Sequence, residues 1–175
     1  MTPMNKPELA ARIKQAAYLE GDFVLSSGRR SKYYFDKYLF TTKPELLGAV
    51  ARLVAEMLPG ETARIAGAEL GAVPLAAAVS LQTRLPFVIV KKQAKDYGTS
   101  KPIEGVLEPG DKVTLVEDII TTAGQCIKAA NALKAAGADV IRIIGIIDRQ
   151  EGGAENIRQA GFDYEPLFVK ADLGV

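Results

Sequence analysis

Short apolar runs alternate with alanine-rich segments through the chain beyond residue 60. The apolar runs lie at residues 65–67, 87–90, 113–116 and 140–147. Short runs that are apolar throughout are typical of parallel strands buried on both faces, and the segments between them have the composition of crossover helices. The clearest of these helices are expected at 73–81 and 127–136, the second ended by Gly137. The pattern therefore predicts an α/β fold, a doubly wound parallel sheet with flanking helices.

The first 60 residues predict two helices separated by an aromatic segment. Pro7 suits the first turn of an opening helix, which we expect to end at Gly21. Residues 18–40 are rich in aromatic side chains and predict short irregular strands that form a small hood. Thr42 and Glu45 have the spacing of a capping box, which predicts that the second helix starts there.

Size and composition restrict the possible classes of function. The 175 residues, 48% of them hydrophobic, are enough for one domain, expected to span residues 1–175. The 22 basic and 21 acidic residues nearly cancel, so neither nucleic acid nor a membrane is an expected partner. The chain has no histidine, which excludes a Ser-His-Asp triad and a histidine-ligated zinc site.

The cysteine content and the N-terminus suggest a compartment. Cys126 is the only cysteine, so a disulfide framework within the chain is excluded and a reducing compartment is favoured. The N-terminal residues carry charges where a signal peptide needs an apolar core, and no later run is long and apolar enough to span a bilayer. We therefore expect a cytoplasmic protein.

The strongest functional signal is a predicted strand that leads into two acids and a turn. Glu117 and Asp118 follow the apolar run, and ionised carboxylates are suited to accept hydrogen bonds from ribose hydroxyls. The helix start that follows could bind a phosphate through free N–H groups. Alternatively, Asp118 or Thr121 only caps that helix. The residues after the acids are Ile119, Ile120, Thr121, Thr122, Ala123, Gly124 and Gln125.

This segment resembles the phosphoribosyl pyrophosphate binding motif of the type I phosphoribosyltransferases. The resemblance implies that residues 117–125 bind phosphoribosyl pyrophosphate, and that the fold is a parallel sheet with helices on both sides and a hood near one end. Such a motif identifies the phosphoribosyl donor only, so the acceptor must be argued from other segments.

Residues 21–36 look like the N-terminal signature of the orotate phosphoribosyltransferases. In that family the aromatic pair that matches Tyr34 and Phe35 lies against the pyrimidine ring of orotate. An aromatic platform suits a flat heterocycle, but a dense aromatic group can equally be a packed cluster of the hood.

Residues 91–105 are basic, polar and rich in glycine, so they predict a long mobile loop or a solvated hairpin. Lysines there could stabilise the charge that grows on a departing pyrophosphate. The segment also resembles the catalytic loop of the orotate family, which implies that Lys95 is the main catalytic lysine and crosses a dimer interface. By the same resemblance, Lys91, Lys92 and Tyr97 contact the donor.

Arg149 follows the predicted strand at 140–147 and matches the arginine that binds orotate in the family. A guanidinium can hold a carboxylate with two parallel hydrogen bonds, although an arginine at a strand end is more often a surface ion-pair residue. The family's threonine that matches Thr121 also contacts orotate. Residues 67–74 correspond to a loop that binds pyrophosphate through backbone amides.

Three positions depart from the pattern of many relatives. Tyr97 stands where many have a histidine, and Ser26 and Leu70 stand where some have a lysine. Three cations are therefore missing from the expected site. Stabilisation of the leaving group then depends on the remaining lysines and on magnesium.

Taken together, the resemblance implies a glycosyltransferase of pyrimidine (UMP) biosynthesis. It would transfer ribose 5-phosphate from phosphoribosyl pyrophosphate to orotate, giving orotidine 5'-monophosphate and pyrophosphate. Mg²⁺ is expected to bind through the substrate and possibly Asp118, and a homodimer with shared active sites is expected. The alternatives are a phosphoribosyltransferase for another base, a regulator that senses phosphoribosyl pyrophosphate, and a domain whose motifs are structural.

Overall fold

A computed structural model of the protein describes residues 4–24, 28, 30–92 and 101–175. In chain order its elements are α1 (Lys6–Ala17), β1 (Tyr18–Val24), β2 (Arg30–Phe35), α2 (Tyr38–Thr41), α3 (Pro44–Met57), β3 (Arg64–Ala68), α4 (Ala72–Thr83), β4 (Phe87–Val90), β5 (Ile103–Glu104), β6 (Lys112–Ile120), α5 (Gly124–Ala135), β7 (Asp139–Asp148), α6 (Gly153–Gln159), β8 (Tyr164–Val169) and a 3₁₀ helix (Lys170–Leu173).

Within these residues, the centre of the fold is a sheet with the strand order β5-β4-β3-β6-β7-β8. All neighbouring pairs are parallel except β4 and β5, which are antiparallel. The chain leaves β3 towards β4 on one side, and later continues through β6, β7 and β8 on the other side. The predicted doubly wound parallel sheet is confirmed, with β5 added as an antiparallel edge strand.

Helices cover both faces of the sheet. One core lies between the sheet and α1, α3 and α4, and it contains the fully buried side chains of Phe40 and Phe168. The second core lies on the α5 and α6 side and contains Leu133 and Ile143. Because both faces are covered, the central strands need apolar residues at successive positions, which is why they read as continuous apolar runs.

The hood consists of an antiparallel hairpin, β1 and β2, followed by the short helix α2. The predicted short strands of residues 18–40 are confirmed, but the opening helix does not reach Gly21. It ends at Ala17, and Gly21 lies inside β1. The start of α1 is capped by Asn5, whose side chain accepts a hydrogen bond of 2.9 Å from the backbone N–H of Glu8.

The capping box predicted from Thr42 and Glu45 is wrong. Helix α3 begins at Pro44, and Lys43 stands at its N-cap without a side-chain cap. The hydroxyl of Thr42 instead donates to the backbone carbonyl of Tyr38 in α2. Proline at the first helical position has no N–H that needs a partner, so the helix can start without the cap.

Strand β6 is longer than the apolar run that predicted it. The run ends at Val116, whereas the strand continues to Ile120 and its pairing with β7 continues beside it. Glu117 and Asp118 therefore lie within the strand and not after it. Among the helices of the described residues, none has the length and apolar character needed to cross a membrane.

Candidate active site

A cleft of about 690 Å³ lies at the carboxyl edge of the sheet. It occupies the place where the chain turns to opposite sides after β3 and β6, which is where open α/β sheets commonly bind ligands. The cleft lining includes Lys37, Ala68, Glu69, Lys91, Lys92, Lys128 and residues 117–125. Residues 117–125, Lys91 and Lys92 of the predicted donor site thus meet in one cavity, and Ala68 and Glu69 of the 67–74 segment also line it.

Glu117 and Asp118 form an acidic pair at the base of this cleft. Asp118 is only 3% exposed, and its Oδ2 lies 2.7 Å from Nζ of Lys37. Burial and then the charge of Asp118 raise the pKa of Glu117 to about 8, so Glu117 is largely protonated at neutral pH. Burial alone would lower the pKa of Lys37, but the contact with Asp118 raises it overall, so this side chain stays a cation.

Two glycines allow the β3–α4 connection to approach the acids. A β-carbon at Gly71 would overlap the carboxylate of Asp118 and lie 2.9 Å from Cε of Lys37. A β-carbon at Gly67 would lie 2.7 Å from the backbone oxygen of Ala72, so this glycine lets β3 and α4 pack closely. The peptide bond between Glu69 and Leu70 in this connection is cis.

The predicted phosphate turn, residues 121–125, connects β6 to α5. Ala123 has a left-handed backbone with φ of 64°, and α5 starts directly after it at Gly124. The exposed backbone of Gly124 and Gln125 therefore presents a helix N-terminus to the cleft. The short helix α6 supports the turn, because Nδ2 of Asn156 donates to the carbonyl of Thr122 at 3.0 Å. Sequence reasoning did not find this support.

The two ends of the predicted catalytic loop lie together at the edge of the cleft. The backbone N–H of Lys91 donates to the carbonyl of Pro102 at 2.8 Å, and that of Lys92 donates to the Glu69 carboxylate at 3.0 Å. The side chain of Lys91 pairs with Glu104 at 2.8 Å, and this contact lowers the pKa of Glu104. The ends thus begin as a hairpin, which is one of the two predicted forms.

Part of the predicted site lies outside the described residues. This applies to Lys95 and Tyr97 of the loop and to Ser26 of the hood. Their expected roles stay predictions.

Arg149 is fixed by its backbone and by its neighbours. Its N–H donates to the carbonyl of Ile120 at 2.9 Å, which places it beside the start of the phosphate turn. Its guanidinium lies 5.2 Å from the ring centre of Tyr33, contacts the Tyr33 hydroxyl at 3.3 Å and pairs with Glu151 at 3.1 Å. Its buried Nε has no hydrogen-bond partner within the described part of the chain, and with Tyr33 and Phe35 Arg149 lines a small pocket that is separate from the cleft.

Asp148 holds the turn that carries Arg149. This carboxylate is 3% exposed, and it accepts hydrogen bonds from the N–H of Gln150 at 2.7 Å and from the hydroxyl of Tyr164 at 3.0 Å. Burial and then the charge of Asp148 raise the pKa of Tyr164, which keeps its hydroxyl protonated as a donor. Asp148 therefore keeps the arginine turn in place.

The hairpin separates the two aromatic side chains of the expected platform, and their contact with orotate stays a prediction. Tyr34 and Phe35 are neighbours on one strand, so their side chains point to opposite faces of the hairpin. Phe35 is 5% exposed and belongs to the core, whereas Tyr34 is 42% exposed and lies against Phe23, with 5.6 Å between ring centres. The two cannot flank one ring together in this arrangement. Tyr33 is the hood residue that meets Arg149.

The structure adds functional candidates that the sequence did not reveal. Lys37, Gly71 and Tyr33 reach the site from the hood and from the β3–α4 connection. The glycine belongs to the 67–74 segment that was predicted to bind pyrophosphate, but its close approach to Asp118 was not predicted. Lys37 gave no signal, because its contact with Asp118 joins residues that are far apart in the chain.

Comparison with known proteins gives one consistent family. The family model "Phosphoribosyl transferase domain" matches residues 40–160. The orotate phosphoribosyltransferase of Methanocella arvoryzae is 44% identical over 167 residues, which cover 95% of this chain and 95% of that protein. A crystal structure of the Mycobacterium tuberculosis orotate phosphoribosyltransferase superposes with a TM-score of 0.85 and 31% identity, covering 97% of this chain and 99% of that one.

A second crystal structure of the M. tuberculosis enzyme contains 5-phospho-α-D-ribosyl 1-diphosphate. It superposes with a TM-score of 0.80 at 29% identity, covering 97% of this chain and 99% of that chain. The chain is therefore similar in structure to a protein whose crystal structure contains this ligand.

Proposed function

The chain belongs to the orotate phosphoribosyltransferase family, and from this we propose how its cleft transfers the phosphoribosyl group from phosphoribosyl pyrophosphate to orotate. The products are orotidine 5'-monophosphate and pyrophosphate, and the reaction serves pyrimidine biosynthesis. The observation that carries the proposal is the meeting of the acidic pair and the helix N-terminus in one cleft.

The donor is bound along β6 and the turn that follows it. The acidic pair accepts hydrogen bonds from the ribose hydroxyls, and a protonated Glu117 can also donate one. The turn at 121–125 binds the 5-phosphate through its backbone N–H groups and the hydroxyls of Thr121 and Thr122. Ile119 and Ile120 connect the two parts with strand geometry, which sets the distance between ribose and phosphate.

The leaving group lies towards the β3–α4 connection and the basic loop. Lys92 lines the cleft at the start of the loop, and Lys91 stands beside it, paired with Glu104. Lys95 is the expected main catalytic lysine, with Tyr97 as an uncharged donor. Cations at these positions stabilise the charge that develops on pyrophosphate, and they act more strongly once water is excluded.

The acceptor is bound between the hood and the end of β7. Arg149 holds the carboxylate of orotate, and its position beside the start of the phosphate turn supports this role. Thr121 and the exposed ring of Tyr34 are further proposed contacts, and Phe35 contributes through the packing of the hood beside Arg149. A ring nitrogen of the orotate anion attacks C1 of the ribose while the bond from C1 to pyrophosphate breaks. The charge of the attacking anion makes a histidine base unnecessary.

The acidic pair fits a magnesium ion that binds chiefly through the substrate. Mg²⁺ commonly uses one or two carboxylates together with substrate oxygens, and Asp118 offers one such carboxylate in the cleft. Among the residues that the structure describes, no three Asp, Glu, His or Cys side chains form a metal cage. Asp118 would hold the ion, which when bound neutralises charge on the pyrophosphate oxygens.

We further propose a homodimer in which each loop serves the partner's site. Several apolar side chains of the hood are exposed to solvent, and a second copy of this chain would cover them. They are Leu19, Val24 and Leu39. A symmetric contact there would bring the two hoods together.

The direct test is orotate consumption, followed by ultraviolet absorbance, with phosphoribosyl pyrophosphate and Mg²⁺. Adenine, guanine, xanthine and uracil serve as parallel acceptors. Magnesium-dependent turnover selective for orotate is the expected result. Turnover with another base only would keep the donor site and overturn the acceptor assignment, and silence with every base would favour a sensor of phosphoribosyl pyrophosphate.

A further inference from the structure

Lys37 reaches the acidic pair from the hood. It lies between β2 and α2, and its Nζ is 2.7 Å from Oδ2 of Asp118. The side chain of Asp118 is 5% exposed and that of Lys37 is 32% exposed, so the contact is screened from most of the solvent. The oxygen that would serve a metal ion is therefore in contact with a cation of the chain itself.

The Lys37 contact occupies one oxygen of the Asp118 carboxylate. Oδ1 of Asp118 accepts from the N–H of Ile119 at 2.6 Å, whereas Oδ2 lies 2.7 Å from the Lys37 ammonium. A divalent cation that approaches Oδ2 would therefore have to displace the lysine.

The residues around Lys37 leave space for its side chain and offer its ammonium group a second position. Gly71 has no side chain to press on Lys37, whose Cε would lie 2.9 Å from a β-carbon there. The Lys37 ammonium also lies 5.6 Å from the ring centre of Tyr38, which is 41% exposed and can bind a cation on its face. Leu70, beside Gly71, is apolar and 68% exposed, so it offers no competing charge.

We propose that Lys37 is a positioning residue that occupies Asp118 in the substrate-free cleft and excludes a divalent cation until phosphoribosyl pyrophosphate delivers one. To displace the lysine, a free divalent ion would have to give up bound water, and it would gain only one buried carboxylate as a ligand. An ion that arrives on the substrate has phosphate and ribose oxygens as further ligands, so the exchange becomes favourable. This inference rests on the proposed function, because it assumes that the cleft binds this donor.

The test measures Mn²⁺, a paramagnetic substitute for Mg²⁺, by electron paramagnetic resonance titration of the enzyme without substrate. Lys37→Met keeps an unbranched side chain that is one atom shorter and removes its charge. It should bind Mn²⁺ about tenfold more tightly than the wild type, because the competing charge at Asp118 is gone. Lys37→Arg restores a cation and should bind Mn²⁺ as weakly as the wild type.

Lys43→Met is the matched control, because Lys43 is exposed at the start of α3 and lies outside the cleft. It should leave Mn²⁺ binding unchanged. Circular dichroism checks folding, and Lys37→Gln replaces Lys37→Met if that variant does not fold. Equal Mn²⁺ binding by the wild type and the charge-removing variant would overturn the inference.

A second titration, with phosphoribosyl pyrophosphate present, separates this inference from the proposed function. The wild type should then take up Mn²⁺ that it does not bind alone. Tight binding by the wild type without the donor would overturn the role of Lys37, even if orotate is consumed normally. No uptake with the donor, together with no orotate consumption, would remove the proposed function and the inference with it.

Discussion

Arg149 is a side chain whose place is set before any substrate arrives. Its backbone is bonded to Ile120, its ring neighbour is Tyr33, and its turn is held by Asp148. Such support lowers the entropy lost when the guanidinium binds a carboxylate. Its buried Nε makes no hydrogen bond within the described residues, which a surface ion pair does not explain.

We expect Arg149→Lys to raise the KM for orotate by about tenfold to hundredfold, because lysine keeps the charge but loses the two parallel hydrogen bonds. The KM for phosphoribosyl pyrophosphate should stay within about twofold, since the donor binds on β6 and its turn. Steady-state kinetics with each substrate varied in turn measures both. Arg12→Lys, at an exposed position on α1, is the control. An unchanged orotate KM would place the acceptor elsewhere.

The acidic pair predicts a pH dependence of stability. Burial and then Asp118 raise the pKa of Glu117 from 4.5 to about 8, so the folded protein holds this proton more tightly than the unfolded chain does. The stability that this gives is complete below the unfolded pKa and is lost as the pH rises through the folded one. Glu117→Gln cannot titrate and should lack this part of the decline.

Urea unfolding of both proteins between about pH 5 and pH 8 measures the effect as the slope of the unfolding free energy against pH. The wild type should lose stability more steeply than Glu117→Gln over this window. Parallel curves would mean that Glu117 is ionised in the folded protein, and that its proposed donation to the ribose does not occur.

At the scale of elements, the glycine at the start of α4 controls how closely two parts of the site approach. Gly71→Ala should lower turnover by about a hundredfold, because a β-carbon there displaces the Asp118 carboxylate, and a shift of that size misaligns the ribose. Gly48→Ala is the matched control, since position 48 lies in α3 with open space around it. That control should keep full activity and gain slightly in stability. Equal activity of the two variants would contradict the proposed close approach.

Strands and crossover helices were predictable because each reflects a local pattern. The run at 87–90 became β4 with the same bounds, and 127–136 became α5 with a shift of its start. The ends were harder, since Thr42 lost its predicted capping role to Pro44. Helix α6 was missed, because seven residues give too little periodicity to recognise.

The residues of the candidate site were likewise predictable where they lie close in sequence, and not where they depend on tertiary packing. Glu117, Asp118 and the turn after them lie close in sequence, so their meeting in one cleft followed from the strand alone. Lys37 and Tyr33 depend on where the hood docks, and that docking is decided by the packing of distant parts of the chain. The opposite orientation of Tyr34 and Phe35 could have been foreseen, because neighbours on a strand alternate between faces.

At the scale of the whole molecule, the proposed dimer makes each active site depend on two chains. If Lys95 serves the partner's cleft, a chain with Lys95→Ala still provides a normal cleft, and a chain with Asp118→Asn still provides a normal loop. A hybrid dimer of these two inactive variants then contains one complete site. A loop that serves its own chain would leave both sites of the hybrid defective.

Mixing the two variants in equal amounts, with time for subunit exchange, should therefore restore about one quarter of wild-type activity, because half of the dimers are hybrids and each has one working site of two. Analytical ultracentrifugation of each variant confirms beforehand that it forms dimers. Lys95→Ala protein incubated alone under the same conditions is the control and should stay inactive. If the mixture of dimeric variants stays inactive after exchange, the loop acts within its own subunit, and the dimer contact does not serve to share the site.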